Sequence, residues 1–135
     1  CAQVAEVTVR PNGEIKVDRV TVALDTRYIV NPQTIAEQAE GAVIFNLSAV
    51  LYGKIEIKNG APVQGNFDTY RMVRLAQAPK IDVQLVPSGG SKWGGAGEPA
   101  TPPIAGAVAN AIFGATGKRI RTLPLSDNDL SSKSA

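Results

Sequence analysis

Apolar and polar positions alternate twice near the start of the chain. Val4-Ala5-Glu6-Val7-Thr8-Val9 predicts a strand with valine on one face, and Ile15 to Leu24 predicts a second that grows more apolar towards its end. Pro11-Asn12-Gly13-Glu14 between them reads as a turn, so an antiparallel hairpin with one buried face is expected. The period then changes. Asn31 is a strong helix cap and Pro32 suits the first helical position. From there Ile35, Ala39, Ala42, Val43, Leu47, Val50 and Leu51 keep helical spacing to about Tyr52. Ile44, Phe45 and Ala49 widen that stripe, predicting a helix buried on more than one side, with Gly53 as a left-handed stop.

Lys54 to Val63 reads as a short hairpin turning at Asn59-Gly60, the dipeptide best suited to a two-residue turn. Gln64 to Tyr70 is a polar-aromatic loop, a short helix is expected around Arg71–Ala76, and Ile81 to Val86 is a strand. A glycine-rich loop from Ser88 to Thr101 runs into Pro102-Pro103 and a second helix, Ile104 to about Thr116, closed by Gly117. Ile104, Val108 and Ile112 form its apolar line, and alanines with Gly106 keep its surface low enough for a neighbouring backbone or a flat ligand. Leu123-Pro124-Leu125 is expected to pack back, and residues 126–135 to form a loose tail. The fold class is α+β: a small antiparallel or mixed sheet with two main helices.

Length and composition narrow the chemistry. At 135 residues the chain suits one domain. Its net charge of +2 builds no field that would steer nucleic acid. The local cluster Lys118-Arg119-Ile120-Arg121 reads as a solvated or phosphate-facing helix end. With no histidine and one cysteine, Cys1, the chain contains no Cys/His zinc cluster, no Ser-His-Asp or Cys-His machinery and no internal disulfide. No apolar run approaches the length of a membrane span, so no integral membrane segment is expected. The chain starts at Cys1 without methionine and already entering a strand, and is expected to be part of a longer polypeptide.

Four features remain. Gly114-Ala115-Thr116-Gly117-Lys118-Arg119 fails as a phosphate loop, because Arg119 and Ile112 stand where that motif needs Ser or Thr and glycine; a helix cap at Gly117 accounts for it better. Asn46-Leu47-Ser48 matches a glycosylation acceptor but lies inside an apolar helix and is discounted. Gln38 sits in the first helix just before its apolar half: either a core amide bonded to a neighbour's backbone, or an amide that recognises a heterocycle or phosphate. Glu98, in Gly94-Gly95-Ala96-Gly97-Glu98-Pro99, is the one acid in the glycine loop. It is either an incidental glutamate on a solvated connector or a general base held at the mouth of a helix. Burial would favour its neutral form and the helix N-terminus its charged form, so elementary physics leaves both open.

These residues also carry a resemblance. Gly94 to Pro99, Pro102-Pro103-Ile104-Ala105, Ala107 to Phe113, Ala115 to Arg121 and Leu123-Pro124 resemble the C-terminal end of the molybdopterin-binding subunit of the xanthine dehydrogenase and aldehyde oxidase family. Asn31-Pro32 with Gln38 to Ala42, and Asn66 to Tyr70, resemble its preceding segments, so the likeness covers nearly the whole chain in order. Within the family the chain looks most like isoquinoline 1-oxidoreductase β-subunit-like proteins and bacterial aldehyde dehydrogenases of this type.

The resemblance implies that residues 1–135 are the C-terminal piece of a molybdopterin-binding domain. The implied activity is hydroxylation of N-heterocycles or aldehydes, with water as oxygen source. The family's catalytic glutamate falls on Glu98, which would take the proton from the metal's hydroxyl group. Its cofactor-contacting glutamine falls on Gln38, and Gly95, Ala96 and Gly97 would let backbone approach the cofactor. No side chain here is expected to ligate metal. The implied cofactor is a molybdenum-pterin in its cytosine dinucleotide form, shared with the rest of the subunit. Iron–sulfur clusters would lie on a partner chain, since no cysteine pattern here could bind one. The competing expectation is a non-catalytic structural or assembly domain, or an inactive isolated fragment of that subunit. Bacterial periplasm and cytoplasm both stay open, with relatives of the isoquinoline type often exported.

Overall fold

The valines of the second strand do not keep one phase: Ile15 and Val17 alternate, as do Val20, Val22 and Leu24, but the two sets are out of step. The computed structural model, which describes residues 1–132, resolves this with a bulge. Strand β1 (Ala2–Val9) pairs antiparallel with β2 (Ile15–Leu24). Glu6 faces Arg19 and Val7 faces Val17, so Asp18 is left as the extra residue and both apolar sets of β2 point inward. Alternation in β1 is unbroken and buries Gln3, Ala5, Val7 and Val9 in part. The expectation that its valines share a face is therefore corrected: Val4 lies outside, 68% exposed, because its position is even and the others are odd.

The hairpin of β3 (Ile57–Lys58) and β4 (Ala61–Pro62) turns at Asn59-Gly60, both with positive φ. Strand β5 (Lys80–Leu85) pairs parallel with β2, which makes a three-stranded mixed sheet in the order β1-β2-β5. Helices α1 (Pro32–Tyr52) and α2 (Pro103–Thr116) cover one face of it, α2 over β1 and α1 against β5 and α2. Val20, Val22 and Leu24 of β2, Val43 and Leu47 of α1, and Ile104, Val108 and Ile112 of α2 close the core, each at most 1% exposed. The opposite face is wet and charged.

Helix α1 begins as expected: the Asn31 side chain accepts from the Thr34 amide at 3.2 Å, with Pro32 at the first position. Its end differs. Gly53 is extended rather than left-handed (φ −62°), and a Cβ there would lie 2.6 Å from the Ala49 carbonyl oxygen. The glycine is needed for space, not for its dihedral freedom. Gly117 does close α2 in the left-handed region (φ 70°). The helix expected at Arg71–Ala76 is instead a single 3-10 turn, Leu75–Gln77, in which the Gln77 side chain accepts from the Arg74 amide as an N-terminal cap, and Pro79 follows directly after Ala78.

Leu125 packs back, fully buried, while Leu123 is 57% exposed. The expected loose tail is held as far as Ser132. Leu130 is buried, the Ser132 amide donates to the Pro11 carbonyl at 3.1 Å, and the Lys118 ammonium donates to the carbonyls of Asp129 and Ser131. The remainder of that tail, 133–135, lies outside the described residues.

Candidate active-site cleft

The glycine loop leaves β5 and is anchored at once. Val86 donates to the Leu24 carbonyl, the Ser88 amide donates to Asp25 Oδ1, and the Gly94 amide donates to the Thr26 carbonyl at 3.0 Å. Gly94 approaches the Thr26 backbone so closely that a Cβ would meet it at 3.1 Å. Asp25 also accepts from the Arg27 amide. The hydrogen bonds from Ser88, ahead of that from Arg27, hold its carboxyl below the usual carboxylate range. Nearby, the rings of Tyr28 and Trp93 meet at a tilt of 38° with centroids 5.1 Å apart, and the Tyr28 hydroxyl donates to the Gly90 carbonyl.

After Gly94 the loop crosses in front of α1. There Gln38, Gly41, Ala42 and Phe45 of the helix face Gly97, Glu98, Thr101 and Pro102 across an open cleft of about 590 Å³. Gln38 and Glu98, each conspicuous in the sequence for its own reason, thus line one cavity. The Gln38 side chain is exposed, and its Nε2 donates to the Gly97 carbonyl at 3.1 Å. It is not the core glutamine that its helix position suggests, although it does bond a neighbour's backbone. Glu98 is exposed as well. Its backbone carbonyl accepts from the Thr101 amide at 2.8 Å, closing a turn, and among the described residues its carboxylate has no partner. Helix α2 starts at Pro103, so its positive end opens towards the turn that carries this acid.

The other predicted loop residues divide. Gly97 lines the cleft with Glu98. Ala96 lines an adjoining hollow with Thr26, Tyr28, Asn31 and Trp93. Gly95 lines neither of the two. A Cβ added at Gly41, Gly95 or Gly97 would meet nothing within 4 Å, so bare backbone faces open space on both walls.

Three residues at the site do not follow from the sequence reading. Phe45, expected to widen a buried stripe, is 71% exposed and stands between this cleft and a second hollow lined by Glu37, Glu40 and Ile81. Asn46, of the discounted glycosylation motif, donates through Nδ2 to the Thr101 carbonyl at 2.7 Å. Gln3, on β1, donates through Nε2 to the Ala100 carbonyl at 2.6 Å, while its Oε1 is buried without a partner. A signal exists for both amides. Asn46 is the one amide within the apolar half of α1, and Gln3 occupies an inward position of an alternating strand.

This donor set suits a flat heterocycle more than a bare cation. An amide side chain meets ring N–H and C=O edges equally well, and glycine backbone admits a planar face. Among the described residues no three His, Cys, Asp or Glu side chains converge as a metal site, and no Lys or Arg lines the cleft. Nor is any described helix long and apolar enough to cross a membrane.

The chain also resembles known proteins. Residues 1–79 match the molybdopterin cofactor-binding domain family. A membrane-bound aldehyde dehydrogenase (pyrroloquinoline-quinone) of Gluconacetobacter polyoxogenes is 39% identical over 128 residues, covering 94% of this chain and 16% of that protein. A nicotinate dehydrogenase chain of Pseudomonas putida is 38% identical over 125 residues, 92% of this chain and 10% of that protein. Among solved structures, the aldehyde oxidoreductase of Desulfovibrio desulfuricans superposes with a TM-score of 0.74 at 25% identity, over 90% of this chain and 14% of that one. The chain therefore spans only a small part of the length of each of these proteins.

Proposed function

The chain belongs to the molybdopterin cofactor-binding domain family, found in molybdenum-binding subunits of the xanthine dehydrogenase and aldehyde oxidoreductase type, and from that premise we propose that it supplies one wall of the active site of a molybdenum hydroxylase. The reaction is oxidation of an N-heterocycle or an aldehyde with water as oxygen source. Names among the relatives point to both substrate classes, nicotinate for the first and aldehydes for the second.

The bound molybdenum-pterin supplies the two-electron redox chemistry. The chain's own residues supply position and a proton acceptor. Gln38 would hold the cofactor through its amide, with Gly95, Ala96 and Gly97 as the backbone that would let it approach. Glu98 accepts the proton released as water's oxygen becomes reactive towards the substrate carbon. The observation that carries the reading is the shared cleft of Gln38 and Glu98, in which the glutamate's carboxylate has no partner among the described residues.

The proposal extends to the cytosine dinucleotide form of the cofactor, on the resemblance to bacterial enzymes of this type. The remainder of the molybdopterin subunit would complete the pocket. Iron–sulfur clusters would sit on a partner chain, because Cys1 is the only cysteine here.

The test is Glu98→Gln in the complete enzyme. Molybdenum content stays at the wild-type level while turnover falls by about 10²–10⁴-fold, the usual worth of a positioned proton acceptor. Near-normal turnover would remove Glu98 from the mechanism.

A further inference from the structure

The turn that presents Glu98 is held from three sides by side-chain amides, and each donates to a backbone carbonyl of that turn. Gln38 donates to Gly97 at 3.1 Å, Gln3 to Ala100 at 2.6 Å and Asn46 to Thr101 at 2.7 Å. Gln38 and Asn46 are eight residues apart on α1, so they lie on one helix face two turns apart. Gln3 reaches in from the far edge of the sheet, 97 residues away in sequence. The Gln3 and Asn46 bonds are partly buried, where water competes less and a hydrogen bond constrains geometry better. Inside the turn, the Thr101 amide closes back onto the Glu98 carbonyl.

Resting on the reading of Glu98 as the proton acceptor, we propose that Asn46 and Gln3 are its positioning residues. They touch neither substrate nor cofactor. They fix the backbone from which the glutamate projects, and they do so from the two elements, α1 and β1, that the core holds rigid. The clamp fixes the backbone from which an exposed acid in a glycine-rich loop projects, and a general base requires such a fixed origin. It also explains Asn46 in a largely apolar helix half: its amide is bonded to the Thr101 carbonyl.

Asn46→Leu and Gln3→Met remove one donor each at nearly constant volume. In the complete enzyme each should lower kcat by about 10- to 100-fold, since a displacement of about 1 Å in a catalytic group costs on the order of 10²-fold. KM and molybdenum content by mass spectrometry should stay at wild-type values. In a Glu98→Gln background neither should lower the residual turnover further. Unchanged kcat in both single variants, with Glu98→Gln inactive, overturns the positioning role and leaves the glutamate's role standing. Loss of molybdenum in step with activity also overturns it, making these amides supports of fold or cofactor. Full activity of Glu98→Gln would instead fell the reading on which the proposal rests. If Asn46→Leu does not fold, Gln3→Met decides on the same readings.

Discussion

The outer face of the sheet and the cleft in front of α1 treat carboxylates in opposite ways. On the sheet each acid has a cation. Glu6 and Asp82 share Arg19 at 3.6 and 3.2 Å, Asp82 also meets Lys80, and Asp18 meets Lys16 at 2.7 Å. In the cleft Glu98 has none among the described residues, and the hydrogen bonds nearby go to the backbone around it instead. Charges that serve the fold are neutralised by neighbours, whereas an acid kept for proton transfer needs a lone pair that no neighbour occupies. Here the protein fixes the backbone that carries the acid, and among the described residues no cation pairs with its carboxylate.

The sharpest way to break that contrast is to neutralise one acid from each region. Glu98→Gln should cost about 10²–10⁴-fold in turnover of the complete enzyme. Glu6→Gln, tested in the same assay, should leave turnover unchanged although it removes an ion pair. If the two variants behave alike, the regions do not differ in kind. Next in size is the core that both regions lean on. Leu47 is fully buried on α1, directly after Asn46. Leu47→Ala should destabilise the protein by about 2–5 kcal/mol, read from denaturant unfolding, because it deletes buried methyl groups and leaves a cavity. A loss well under that range would mean that the helix repacks readily and is no rigid platform for the clamp.

How much of this is legible in the sequence follows the same division. The elements of the fold are readable wherever a local pattern decides them: the Asn31-Pro32 start, the Ile104, Val108 and Ile112 stripe, the Asn59-Gly60 turn and the Gly117 cap all stand in the structure. The reading stays incomplete where a distant neighbour decides. Nothing near Ile81 announces that its strand runs parallel to β2, nor does the composition of residues 126–132 announce that Leu130 finds a place in the core. Gly53 is rightly expected to end α1 but for the wrong reason, since its crowding against Ala49 shows only in three dimensions. At the site, Gln38 and Glu98 can be singled out one by one. Their common cleft, and the amides of Gln3 and Asn46 that shape it, arise from contacts across 55 to 97 residues of chain.

A smaller effect is expected from the centre of the charged face. Arg19→Met removes both of its ion pairs while keeping much of the apolar stem. Exposed pairs of this kind are worth at most about 1 kcal/mol, so the thermal midpoint should fall only slightly and turnover of the complete enzyme should not change. A large drop in turnover would show that the outer face communicates with the cleft through β2.

The smallest effect separates the two regions by pH. Asp18 is the extra residue of the β2 bulge. Its carboxyl is held below its ordinary value of 3.8, first by the Lys16 ammonium and then by the Thr8 hydroxyl, which donates to Oδ2 at 2.6 Å. Because the folded protein favours the ionised form, the stability that Asp18 contributes is fully present above 3.8 and is lost as pH falls through its lower folded value. Asp18→Asn should therefore be slightly less stable than wild type at neutral pH, and the gap should close on acidification below 3.8, as followed by thermal midpoints at a series of pH values. The pH profile of turnover should be the same in both proteins, since this carboxylate lies on the face away from Glu98. A gap that stayed constant through the acid range would show that Asp18 acts through the shape of the bulge rather than through its charge.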